Sequence, residues 1–211
     1  MVLSQKFLAI AVFLMLCPAV SVPNLYGASV TIKGSGDEVT ETVSFSAGLL
    51  MVGAAHKGSR NFAVELLSAD GQKRELLMNA IGDYQGVRLI PIATGQYRFQ
   101  IQSDQAWVVM HEQPDSNKQG TPLPISHSHI GDAPLGPFVI DRGLLRASFT
   151  HKGTHNFAAT LFTAKGSMAA LLVNKIGAYR GTVTASISDA GPYWLAVQAS
   201  GVWSVELVMD K

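Results

Sequence analysis

The chain says nearly the same thing twice. From Gly48 it reads GLLMVGAAHKGSRNFAVELL, and from Gly143 it reads GLLRASFTHKGTHNFAATLF. At a shift of 95 residues the copies share 20 identities between Gly48/Gly143 and Ile92/Ile187, and at a shift of 96 five more follow, including Gly95/Gly191, Tyr97/Tyr193 and Trp107/Trp203. One residue inserted in a loop accounts for the slip. Two copies at so long a period predict two domains of one fold related by internal duplication, because solenoids stack three or more short units before a core closes.

Within each copy the apolar period is two. Tyr97, Phe99 and Ile101 alternate with Arg98, Gln100 and Gln102, and the same phase runs through Phe62, Val64 and Leu66 and through Phe157, Ala159 and Leu161. That is the pattern of half-buried antiparallel strands. Turn residues separate the runs: SADGQ (68–72) matches TAKGS (163–167), and IGDYQG (81–86) matches IGAYRG (176–181). No apolar helical stripe follows the first twenty residues. The expected fold is all-β: two tandem antiparallel β-sandwiches of jelly-roll-like type, each of about six to eight short strands. The stretch His111 to Gly136 holds four prolines and three glycines, and reads as a linker plus the entrance to the second copy. The expected organisation is therefore a first sandwich over 22–110, a linker over 111–136 and a second sandwich over 137–211.

Residues 1–21 read as a secretory signal peptide. Lys6 precedes the apolar run FLAIAVFLMLC, and Ala19-Val20-Ser21 supplies the small side chains a signal peptidase accepts, with cleavage after Ser21. The run is shorter than the about 20 residues a spanning helix needs, so an integral membrane protein is not expected. The only cysteine, Cys17, lies in this leader, and the bulky Leu14-Met15-Leu16 before it disfavours lipid attachment. A mature chain without cysteine must be held by its apolar cores, which fits a periplasmic or secreted protein of a bacterial envelope. The balance of 16 Lys+Arg against 15 Asp+Glu lacks the basic excess of a nucleic-acid binder.

The repeated loop residues His56, Lys57 and Asn61, with His151, Lys152 and Asn156, are candidate ligand contacts, since imidazole and amide groups between strands can hydrogen-bond a sugar hydroxyl or a carboxylate. The competing reading is architectural: Gly58 and Gly153 make the turn, the asparagines bond their own loops, and Phe62 and Phe157 anchor the next strand. That reading is favoured, and on it His56→Ala or His151→Ala changes stability little. No hydrolase motif occurs, and several acids differ between copies: Asp70 aligns with Lys165, Asp83 with Ala178 and Asp104 with Ser200. Neither an enzyme nor a cofactor is expected. His127 and His129 in SHSHIGD could share one face and grip a metal if a third ligand arrived, with His111 and Asp132 nearby in sequence. In PYWLAVQA the inward series is Tyr193, Leu195 and Val197, which turns Trp194 outward, either to stack on a sugar ring or to be covered by the other copy or the linker.

The succession of Leu67 to Gly71 with Gly95-Gln96-Tyr97, repeated as Phe162 to Gly166 with Gly191-Pro192-Tyr193, resembles the secreted bacterial sandwiches of the pre-peptidase C-terminal type. Position 165 is lysine where those modules usually carry an acid, and their acid-rich strand is missing. The resemblance implies accessory modules that support secretion, surface attachment or polymer binding without chemistry of their own. The function expected is a non-catalytic exported binding module for a partner protein or an envelope or extracellular polymer. The alternatives are a carbohydrate module using Trp194 and an enzyme with a site in the cleft between the copies.

Overall fold

The computed structural model describes residues 29–210, so the expected signal peptide lies outside the described residues. Those residues form strands and turns only, and none of them belongs to a helix long and apolar enough to cross a membrane. In the first half, one sheet runs in the order β1 (Val30–Ser35), β9 (Ala106–Glu112), β4 (Gly48–His56), β7 (Tyr84–Ile92). Its partner sheet runs β2 (Glu38–Val39), β8 (Gly95–Gln102), β5 (Asn61–Ser68), β6 (Arg74–Ile81), with β3 (Val43–Phe45) also on β8. The second half repeats this order: β11 (Ile125–Ile130), β18 (Val202–Met209), β13 (Gly143–His151), β16 (Tyr179–Ile187) form a third sheet. The fourth is β10 (Thr121–Pro122), β12 (Ala133–Ile140), β17 (Gly191–Ala199), β14 (Asn156–Thr163), β15 (Met168–Ile176). Every pairing is antiparallel except that of the two-residue β10 with β12.

The alternating residues do what their phase predicts. Phe62, Val64, Phe99, Ile101 and Trp107 fill the first core, and Phe157, Leu161, Leu195, Val197 and Trp203 fill the second. Each core is tied at one corner by a tyrosine that reaches back along its own chain: Tyr97 donates from its hydroxyl to Ala93 O at 3.0 Å, and Tyr193 donates to Asp189 O at 2.6 Å. This is the tyrosine-corner device of Greek-key sandwiches.

The linker expectation needs correction. Residues 113–120 are the longest part of the 111–136 stretch free of strand, because β9 runs through Glu112 and β10, β11 and the start of β12 fill the rest apart from the short connections 123–124 and 131–132. The second sandwich therefore begins near Thr121 and not at 137. Its strand β11 is an edge strand whose inward positions are His127 and His129, so the apolar alternation that marks other strands is absent from the sequence. The offset of 95 nevertheless holds here, since Val30 of β1 corresponds to Ile125 of β11.

The two sandwiches lie side by side with like ends together. At one end Val87 N–H donates to Asp132 O at 3.1 Å, and at the other the backbone of Gly166 presses on that of Gly48, leaving no room for a side chain. Between these contacts a third apolar cluster joins Leu49, Met51 and Leu89 of the first half to Phe162, Trp194 and Ala196 of the second.

Candidate functional site

The repeated His-Lys-Gly segments close the same end of each sandwich. His56 and His151 are the last residues of β4 and β13, in phase with the inward series Leu50, Val52, Ala54 and Leu145, Ala147, Phe149. Both rings are buried. His56 stacks on Phe62 with centroids 4.6 Å apart and planes at 4°, and His151 stacks on Phe157 at 4.5 Å and 7°. Each donates from Nδ1 to the carbonyl of a turn glycine, Gly82 at 3.2 Å and Gly177 at 2.8 Å. Those glycines have φ of 86° and 88°, a left-handed conformation that other residues resist. The histidine thus fastens the turn that carries the chain from one sheet to the other, β6 to β7 or β15 to β16, to the neighbouring strand end.

Gly58 and Gly153 explain the rest of the motif. Each lies directly on the imidazole two residues before it, and a Cβ at either place would overlap the ring. They are glycines for close approach rather than for the turn conformation first expected. The side chain of Asn61 likewise does not bond its own loop; its amide donates to Gln102 Oε1 at 3.1 Å. Asn156, Lys57 and Lys152 are exposed. His56 and His151 present no surface to a ligand.

At this end the copies differ in their acids: Gly58 N–H donates to Asp83 Oδ1 at 3.2 Å, where the second copy has Ala178, and a second acid sits beside His56. His56 Nε2 faces Asp104 Oδ1 at 3.2 Å, an ion pair when the ring is protonated, whereas Ser200 takes the acid's place beside His151. Burial pushes the Asp104 carboxyl up, but the N–H groups of Ser59, Arg60 and Asp104 itself, with the charge of His56, hold it below its usual value. The sequence expectation that His→Ala changes stability little does not survive this packing. His151→Ala removes a stacked, buried ring together with its hydrogen bond to the Gly177 turn, and is expected to cost about 2–4 kcal/mol. Urea unfolding followed by circular dichroism checks it, and a change under about 1 kcal/mol would return the residue to a surface role.

A pair of shared acids escaped the sequence comparison, which began at Gly48. Gly36-Asp37 and Gly131-Asp132 stand 95 residues apart. Asp37 accepts from Ser103 N–H and Asp132 accepts from Ala199 N–H, each at 2.9 Å. The preceding glycine carbonyls accept from the core indoles: Trp107 Nε1 donates to Gly36 O at 2.9 Å and Trp203 Nε1 to Gly131 O at 2.8 Å. The Gly-Asp pair at the repeat's own offset was the available signal. Asp132 has a second task, since its other oxygen accepts from Tyr84 O–H at 3.1 Å and Arg88 Nη1 at 3.4 Å in the first sandwich. Burial, with the Asp132 charge beside it, pushes the Tyr84 phenol well up.

Trp194 points outward from its own sandwich, as the alternation requires, and is 1% exposed because the first sandwich covers it. No sugar ring can stack there while the halves are docked. The cleft that an enzyme would use is filled by this apolar cluster and closed at one end by Asp132. His127 and His129 lie on the inner side of β11 with rings 6.3 Å apart, both against Trp203, and burial pushes both imidazoles below their usual range. Their sequence neighbours do not join them: His111 sits in the first core between Phe45 and Phe99, and Asp132 lies in the junction. Among the described residues no three His, Cys, Asp or Glu side chains converge as metal ligands.

The surfaces left open are sheet faces and sandwich ends. Over the third sheet a shallow groove of about 460 Å³ is lined by Ser126, Ser148, Thr150, Arg180, Thr182 and Ser204. Hydroxyls pair across its strands, Ser148 with Thr182 at 2.9 Å and Thr150 with Ser204 at 2.6 Å.

No family model matches this chain, and no curated protein matches it. Among solved structures it is similar to PBSX exported protein XepA, at 12% identity and a TM-score of 0.30, over 89% of this chain and 88% of that one. It is also similar to a single-substitution variant of oxalate decarboxylase from Bacillus subtilis, at 8% identity and a TM-score of 0.26, over 86% of this chain and 68% of that one. A third similarity is to the stem and receptor-binding domain of spike protein P1 of bacteriophage PM2, at 10% identity and a TM-score of 0.17, over 88% of this chain and 80% of that one.

Proposed function

We propose that this chain is a non-catalytic exported module of two β-sandwiches that binds an envelope or extracellular polymer or a partner protein. One observation carries the reading: the histidines, tryptophans and turn aspartates that the copies share are engaged within the fold. His56 and His151 hold turns, Asp37 and Asp132 hold β-connections, and Trp107 and Trp203 bond backbone carbonyls. Groups so committed are poor acids, bases or nucleophiles, because a reacting group must reach a substrate. Recognition then falls to the surfaces in which the copies differ. The expected signal peptide and the resemblance to secreted accessory sandwiches agree with an exported binder.

A second reading, carbohydrate binding, moves from Trp194 to the hydroxyl-lined groove of the third sheet, whose paired hydroxyls suit a polysaccharide chain. Sedimentation of the mature chain with isolated cell envelopes, purified peptidoglycan and extracted surface polysaccharide tests both. Saturable retention without release of product is the expected result. Retention on none of them, or a turnover abolished by one side-chain substitution, overturns the proposal.

A further inference from the structure

The end of the second sandwich that carries the His-Lys-Gly loop differs from its counterpart in a consistent direction. Ile130 pairs with Val202 across β11 and β18, and Lys152 N–H donates to Val202 O at 2.9 Å, so these three stand in one row at the extremity. The equivalent row of the first sandwich is Ser35, Ala106 and Lys57. Ile130 stands where the first sandwich has a serine and Val202 where it has the smaller alanine, and both are solvent-facing: Ile130 is 69% and Val202 45% exposed. Ile176, at the adjoining turn between the two sheets, is 84% exposed, as is its counterpart Ile81, so it adds apolar surface to this tip without distinguishing it.

The charge changes in the same place. Asp83 and Asp104 of the first sandwich correspond to Ala178 and Ser200, while Ala80 and Gln85 correspond to the exposed Lys175 and Arg180; in the opposite sense, Arg60 corresponds to His155. Asp132, the acid of the second sandwich at this end, is turned toward Tyr84 and Arg88. What remains outward is a tip of exposed aliphatic side chains beside Lys152, Lys175 and Arg180. Apolar surface in water is unfavourable, and its gain together with cations matches one surface, anionic headgroups over a hydrocarbon layer.

We infer that this tip docks the second sandwich on the surface of an anionic lipid bilayer, with Ile130, Val202 and Ile176 entering the headgroup region and Lys152, Lys175 and Arg180 meeting the lipid phosphates. The inference rests on the reading of the chain as a binding module and names a partner for one of its surfaces.

The test is co-sedimentation of the mature chain with vesicles of phosphatidylglycerol and phosphatidylcholine in equal parts, and with phosphatidylcholine alone. Binding is expected to the anionic vesicles only. Lys152→Gln with Lys175→Gln should weaken it about 25-fold, taking about fivefold for each basic residue at an anionic surface. Ile130→Ser with Ile176→Ser should weaken it by at least about tenfold, while Arg142→Gln at the opposite end leaves it unchanged. These positions are exposed, and unaltered circular dichroism melts would show that the variants fold. Equal binding to neutral vesicles, or equal loss with Arg142→Gln, overturns the inference. So does insensitivity to the isoleucine substitutions, which would mark a site for a soluble polyanion. Retention on envelope polymer by the same variants separates failure of this surface from failure of the binding-module reading.

Discussion

Trp203→Ala is expected to lower stability by about 3–5 kcal/mol, which for a protein of this size means a fall in Tm on the order of 10 °C. The indole is fully buried, packs beside Val205 and lies under the rings of His127 and His129 at 5.9 and 6.1 Å. Its Nε1 donates to Gly131 O at 2.8 Å, so the residue fills the core and also holds the β11–β12 turn that delivers Asp132 to the junction. Truncation opens a cavity that the close-packed neighbours can fill only in part. Trp203→Phe separates the two contributions: most of the bulk stays, the carbonyl of Gly131 loses its donor, and the expected cost falls to about 1–3 kcal/mol. Trp107, bonded to Gly36 O at 2.9 Å, should behave alike. Urea unfolding monitored by far-ultraviolet circular dichroism reads both variants, and a Trp203→Ala midpoint equal to the parent's would remove the indole from the core.

The strands and their inward faces were legible because burial at a strand is a local property. Tyr97, Phe99 and Ile101 alternate with polar residues, and the structure buries all three. The burial of the two loop histidines was equally legible in principle. His56 continues the series Leu50, Val52, Ala54, and His151 continues Leu145, Ala147, Phe149, so strand phase put both rings inside. Polarity argued for the surface, and phase prevailed because the stack on phenylalanine and the bond to a turn carbonyl satisfy the ring in place. Edge strand β11 was illegible for the converse reason. Histidine at its inward positions, with prolines and glycines on either side, leaves no apolar period to see, and only the offset to β1 betrays it. The specialised tip could be found only by comparing the copies position by position with the fold known, since Ile130, Val202, Lys175 and Arg180, where the copies differ, come from four separate strands.

What covers Trp194 depends on residues more than a hundred positions away, and here the strongest consequence follows. Trp194→Ala is expected to remove about 3–5 kcal/mol, and to remove it from the contact between the sandwiches rather than from either core. The indole meets Leu49, Met51 and Leu89 across the junction, while Tyr193 and Leu195 on either side of it face the second core. Thermal unfolding should therefore split from one transition into two, as each sandwich, with its own core, melts alone. Arg98 is the control. It occupies the equivalent position in the first sandwich, is exposed and donates from Nε to Thr42 Oγ1 at 2.9 Å, so Arg98→Ala should stay within about 0.5 kcal/mol of the parent. The same comparison predicts that this mode of docking does not extend to a third unit. A head-to-tail contact propagates whenever each unit presents both complementary faces. The sticky face of the first sandwich, Leu49, Met51, Val87 and Leu89, corresponds in the second to Leu144, Arg146, Thr182 and Thr184, and the receiving Trp194 corresponds to Arg98 in the first. Both free faces have thus become largely polar, which caps the pair at either side. A single unchanged melting transition in Trp194→Ala would show that the sandwiches do not depend on this cluster for their union, and the capping argument would fall with it.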